Sequence, residues 1–184
     1  PTVTLNEGKY VGYEAVKGFF VDYNEAQTRW ANEVMRKLFP EELGGKSDEE
    51  IWAVGSNTVL NFTTPLIEVA FDGQTAKGMW YVYGSTTEVY STGPKAAWNF
   101  GRCAVDFIKE DGAWKIWHMT MFTDIQCPVG GNWGRDTMYP HEGVEIPEPT
   151  VKEHQYTGYG EDFISMVAPR LPEPYDTFAN TFSY

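Results

Sequence analysis

The stretch that decides the fold is Asp106-Phe107-Ile108-Lys109-Glu110-Asp111-Gly112-Ala113-Trp114-Lys115-Ile116. Asp-Gly accepts the positive φ of a two-residue hairpin turn, and β-prone runs flank it on both sides. The spacing predicts long antiparallel strands over 96–109 and 114–124. Upstream, Asp72-Gly73 repeats the signal between a strand over 58–70 and its return over 75–83. Pro65 interrupts the first of these, as at a bend or an edge. Residues 84–94 read as a polar loop, and 2–6 as a short β-branched strand.

Between the short strand and the hairpins the period changes. Val16, Phe19, Phe20, Tyr23, Trp30, Ala31, Val34 and Leu38 recur at helical intervals. They predict an amphipathic helix over 13–38, weakened at Gly18 and stopped by Pro40. Ser47 and Glu50 form a capping box that predicts a short helix through Trp52. Beyond Cys127, prolines at 140, 147, 149, 169, 172 and 174 forbid regular structure. The same tail holds Tyr156, Tyr159, Phe163, Met166, Tyr175, Phe178, Phe182 and Tyr184. A disordered tail is poor in such residues, so this one reads as an ordered wrap on its own domain or on a neighbouring subunit. The expected organisation is one α+β domain over 1–127 and a Pro- and aromatic-rich wrap over 128–184. A helix followed by hairpin-connected long strands is an α+β pattern, in which a curled sheet with helices on its concave side encloses a pocket.

Composition narrows the function classes. In 184 residues, 14 Lys and Arg face 26 Asp and Glu, a net charge of −12. No basic patch can be drawn for nucleic acid or an anionic membrane. No apolar run reaches the ~18 residues of a membrane helix, and no signal-peptide pattern opens the chain. With a mean hydropathy of −0.41, the expectation is a cytoplasmic protein in which Cys103 and Cys127 are free thiols. His118, His141 and His154 lack metal-ligand spacing, so no metal is expected. Gly130-Gly131-Asn132-Trp133-Gly134 is not a phosphate loop, there is no GxSxG, and Cys103 has no adjacent activating partner. Pro1 in place of Met marks the chain as processed, trimmed or incompletely reported.

Three motifs carry a family resemblance. Tyr10-Val11-Gly12-Tyr13-Glu14-Ala15-Val16 followed by Phe19-Phe20, then Asp72-Gly73-Gln74-Thr75-Ala76-Lys77-Gly78-Met79-Trp80-Tyr81, then the 106–116 hairpin, occur in this order. Together they resemble the SnoaL-like branch of the NTF2-like superfamily, over roughly 2–124. The resemblance implies a cone-shaped α+β barrel. Polyketide cyclase, scytalone dehydratase and ketosteroid isomerase share it, along with pure binding modules. The enzymes mostly work without a cofactor, through one or two acid/base side chains in an apolar cone. Members usually carry a helical hairpin before the first strand. Here it is missing, cleaved or supplied by a second chain, so part of a site is expected outside this sequence.

The site must be argued on residues. Trp114, Ile116, His118, Thr120, Phe122 and Asp124 share one strand parity. The family register turns that set toward the cone. His118 would then sit in an apolar wall that favours the neutral imidazole of a general base; otherwise it is a core histidine bonded to a carbonyl. Asp106 is the candidate partner. A plain two-residue turn pairs Val105 with His118 and puts Asp106 on the other face; a bulge would shift the register and bring Asp106 inside. Trp80, with Gly78 making room, offers an aromatic wall or ordinary core packing. Tyr10, Tyr13 and Tyr23 are phenols able to stabilise a developing oxyanion. Arg102 would bind a phenolate or carboxylate, or stay solvated, and Asp124 belongs at the rim. Catalytic candidates are therefore His118, Asp106 and Tyr10. Substrate contacts fall to Trp80, Trp114, Phe107, Thr120, Phe122, Tyr23 and Arg102.

The expected function is a cofactor-independent lyase (a dehydratase) or isomerase acting on a small apolar, aromatic or polycyclic substrate. The alternatives are a non-catalytic binding or assembly module of the same fold, or a cyclase or hydrolase using the same pocket. His118 is expected in the largest pocket with Trp114 and Trp80. Trp117, Met119 and Met121, with Met79, Tyr81 and Tyr83, are expected to form an outer face on which a homo-oligomer assembles, the tail reaching across it.

Overall fold

Hairpins with turn-specific residues build the sheet. A computed structural model describes residues 1–136, 138–152, 156–164 and 168–184; His154 and Met166, named above, lie outside the described residues. β1 (Thr2–Leu5) and β2 (Gly8–Val11) form a first hairpin. α1 (Tyr13–Lys17), a π-helical stretch (Gly18–Tyr23) and α2 (Asn24–Leu38) follow without interruption, then α3 (Pro40–Leu43). β3 (Asn57–Val69), β4 (Thr75–Tyr90), β5 (Gly93–Glu110) and β6 (Ala113–Pro128) complete the sheet. Its order is β2-β1-β6-β5-β4-β3. β1 runs parallel to β6 and every other pair is antiparallel. The α+β class expected from the sequence, helices followed by a hairpin-connected, mostly antiparallel sheet, is what the structure shows. Among the described residues no helix is long and apolar enough to cross a membrane.

Local chemistry explains the joints. Asp111 and Gly112 both take positive φ, 51° and 77°, which the tight β5–β6 turn requires. Thr64, at φ 47°, marks the irregularity next to Pro65. Gly18 does not end the helix; the backbone widens there to a π turn. The capping box is half realised: Ser47 N–H donates to Glu50 Oε2 at 2.8 Å, but turns follow instead of a helix. The polar loop expected over 84–94 is wrong. β4 continues to Tyr90 and β5 starts at Gly93, because Thr86, Thr87 and Val89 suit a half-exposed ribbon whatever their polarity. β2 went unread, its four residues masked by Gly8 and Gly12.

The two faces of the sheet are covered by different parts of the chain. On the concave side Tyr10 meets Phe19 of the helical segment, at 4.8 Å between ring centroids. At the far end of β4, next to the β4–β5 turn, Ala31 and Met35 of α2 pack on Val89. The opposite side is covered by Tyr156 and by residues 175–184 of the same chain. Phe71 and Asp72 N–H donate to the carbonyls of Tyr175 and Asp176, and Tyr156 N–H donates to Asn6 O. Phe182 and Tyr184 close over Met79 and Ala104.

Candidate functional site

A single extra residue in β6 decides where the chemistry lies. Phe107 pairs with Ile116 and Asp106 pairs with His118, so Trp117 has no partner on β5. This bulge brings Asp106 and His118 side by side, but on the face covered by the tail and not inside the cone, where the bulge alternative put Asp106. It also reverses the parity of β6 between Ile116 and His118. Asp106 pairs in turn with Lys77, while Trp80 pairs with Cys103 and Cys103 with Met121. Cross-strand partners share a face. Lys77, Asp106, His118, Thr120, Phe122 and Arg102 thus stand on the tail side, and Trp80, Phe107, Ile116, Trp114 and Tyr10 on the concave side.

On the tail side the charges are satisfied in place. Asp106 is fully buried and accepts four hydrogen bonds. Lys77 Nζ donates to Oδ1 at 2.5 Å; His118 Nδ1 (2.9 Å), Ser183 Oγ (3.1 Å) and Tyr184 N–H (2.9 Å) all reach Oδ2. Lys77 also donates to the Phe182 carbonyl. Its ammonium lies within 6 Å of the ring centroids of Tyr175, Phe178, Phe182 and Tyr184, an aromatic cage supplied wholly by the tail. Burial pushes the Lys77 ammonium below the ordinary lysine value, and the hydrogen bond and charge of Asp106 oppose that. A carboxylate accepts, so His118 turns Nδ1 to Asp106 as donor and Nε2 away from it. Among the described residues Nε2 has no hydrogen bond. The ring is stacked on Trp117 at 4.4 Å. Ser183 Oγ is 3.0 Å from His118, but at Nδ1, the nitrogen that also faces Asp106. A nucleophile triad needs hydroxyl and carboxylate on opposite ring nitrogens, so these three do not form one.

Two further candidates are tied down on the same face. Arg102 holds Asp124 through two nitrogens, at 3.0 and 2.6 Å. Tyr156 donates to Asp124 at 2.5 Å and stacks on Phe122 at 4.3 Å. Burial and the Asp124 charge push the Tyr156 phenol up to about 12. Sequence reasoning had no signal for Lys77, Ser183 or Tyr184, because the tail that brings them together leaves no periodic trace.

The concave side is apolar and partly open. Val82, Cys103 and Val105 are buried, with Leu60, Trp80, Phe107 and Met119 packed around them. Phe107 meets Trp80 edge-on at 6.3 Å. A cavity of about 160 Å³ lies against Leu60, Val82, Asn99 and Met121. It shares Met121 and Thr123 with a cleft of about 800 Å³, which runs along the second half of β6 past Leu5, Phe19 and Trp133. Of the phenols, Tyr10 donates to Pro147 O at 2.8 Å, and Tyr23 stacks on Phe19 at 5.6 Å. Cys103 faces this side, but burial pushes its thiol up to about 11, which leaves it unreactive near neutrality.

The expected grouping is therefore corrected. His118 lines neither cavity, and Trp114 and Trp80 stand on the opposite face from it. The parity argument failed because it took β6 as unbroken through Trp117. Met119 and Met121 likewise face the concave side, and Met79 lies under the tail. Tyr81 and Tyr83 do lie exposed on the outer face.

Residues 55–120 match the family model of the SnoaL-like domain. The match spans β3, β4 and β5 and runs into β6. No curated protein matches the chain in sequence. Among solved structures it is similar to a point variant of Rv3472, a function unknown protein from Mycobacterium tuberculosis, at 19% identity and a TM-score of 0.40. That similarity covers 67% of this chain and 53% of the other, so the chain spans about half the length of that protein. It is also similar to hexachlorocyclohexane dehydrochlorinase LinA-type3 from Novosphingobium barchaimii LL02, at 15% identity and a TM-score of 0.41, over 76% of this chain and 73% of that one. The SnoaL-like family includes isomerases, cyclases and dehydratases.

Proposed function

We propose that the SnoaL-like domain holds a small apolar molecule, aromatic or polycyclic, against its concave face, without a cofactor. The observation that carries this reading is the division of the sheet. Trp80, Phe107, Leu60 and Met121 leave partly open apolar surface beside a cavity, whereas Lys77, Asp106 and His118 opposite are already bonded to one another. A concave apolar wall with a few polar groups such as Asn99 and Thr123 is the usual make-up of a small-molecule site. Titration with 2-naphthol, followed by tryptophan fluorescence, tests it. Saturable binding that Trp80→Ala weakens at least fivefold and His118→Gln leaves unchanged is expected. Binding indifferent to Trp80→Ala, or none, overturns the reading.

A second reading keeps acid/base chemistry as a lyase or isomerase. It is favoured by His118, whose Nδ1 is fixed by Asp106 while Nε2 has no hydrogen bond among the described residues. In this reading the proton moves at Nε2 on the tail side. Loss of turnover in His118→Ala, with naphthol binding and the fold retained, supports it; turnover surviving that change sinks it.

A further inference from the structure

A second cavity, of about 200 Å³, lies on the tail side between the sheet and the C-terminal segment. One wall is a cross-strand row. Lys9 pairs with Thr4 across β1–β2, and Thr4 with Thr120 across β1–β6, so an ammonium and two hydroxyls stand together. Arg170 faces them from the tail, its guanidinium 4.6 Å over the ring of Phe182. Phe122 and Phe182 supply flat apolar surface. No residue of the lining is acidic, in a chain of net charge −12. Thr4 adds an independent sign. It is 4% exposed, and its buried Oγ1 has no hydrogen-bond partner among the described residues. A buried hydroxyl without a partner is unfavourable until an occupant supplies one.

We propose that this cavity binds a small aromatic carboxylate. The carboxylate lies between Lys9 and Arg170 and accepts from the Thr4 hydroxyl; the ring lies between Phe122 and Phe182. Glu173 takes one guanidinium nitrogen of Arg170 at 3.0 Å, and the remaining donors of the fork stay available. The volume admits a single substituted ring, and the cavity lies on the opposite face of the sheet from the one against Leu60 and Val82. The site therefore stands apart from that reading.

Isothermal titration of the full chain with benzoate tests the proposal, with benzyl alcohol and benzylamine as uncharged and cationic counterparts. Saturable benzoate binding is expected, at least tenfold tighter than either counterpart. Lys9→Met with Arg170→Met should weaken it at least tenfold, and Thr4→Val several-fold, with the circular dichroism spectrum unchanged. Trp80→Ala should leave it intact. No saturable binding, equal binding by the double variant, or a loss caused by Trp80→Ala alone overturns the proposal. The 2-naphthol titration of the concave face can succeed or fail without affecting this result.

Discussion

Lys77 carries an ammonium into a place with no exposed surface, opposite an equally buried carboxylate. Removing one member of such a pair strands the other, which typically costs about 3–5 kcal/mol. Lys77→Met is expected to lower the unfolding free energy by that order in urea titration. The double change Lys77→Met with Asp106→Leu should recover part of the loss, since no unpaired charge remains. A single variant within about 1 kcal/mol of the parent would show the pair to be dispensable. Tyr156 gives a pH signature. Its folded pKa, about 12, lies above the ordinary phenol value of 10.0, so the unfolded chain releases the proton first. The stability it contributes is complete below pH 10 and lost as pH rises toward about 12. Tyr156→Phe should flatten the fall in melting temperature across that window, while an unchanged slope would assign it to other tyrosines. At this scale the sequence was half legible. His118 and Asp106 could be picked out by residue type and strand distance. Their face could not, because one unpaired residue, Trp117, inverts the alternation between Ile116 and His118.

β3 and β4 approach so closely that a Cβ at Gly84 would fall 1.8 Å from the Val59 carbonyl oxygen. Backbone cannot yield as a flexible side chain does. Gly84→Ala should therefore force the strands apart and destabilise by about 1–3 kcal/mol, the range for overpacking. Gly112→Ala meets no atom within 4 Å but sits at φ 77°, so its effect is conformational strain alone. Comparing the two by thermal melting and amide exchange separates close approach from strain: only the Gly84 change should expose β3 amides. Strands flanked by Asp-Gly turns were legible because turn chemistry is local. The β4–β5 extension was not, since Ser85, Thr86, Thr87 and Glu88 look like a loop until a partner strand is in place.

The tail covers only part of the outer face. Val59, Tyr81, Tyr83, Trp98 and Phe100 remain 39–58% exposed, and cross-strand pairing puts them on one side of β3, β4 and β5. Contiguous aromatic surface of this kind is uncommon on monomers, and this patch carries no carboxylate to repel a second copy of a chain of charge −12. A homo-oligomer is the expected state. Light scattering at micromolar concentration should give a multiple of the chain mass, reduced to one chain by Tyr83→Lys with Phe100→Lys. A parent of monomeric mass would refute it.

The fastening of the tail also sets the tempo of folding. The hydrogen bonds that hold it join residues 105, 78 and 137 positions apart, at Lys77–Phe182, Asp106–Tyr184 and Tyr10–Pro147. Ordering the chain across such spans uses up loop entropy before any of these bonds forms. Refolding belongs at the slow end for a domain of this size, about milliseconds to seconds in stopped-flow, a time during which Met79 and Ala104 stay open to encounters with other chains.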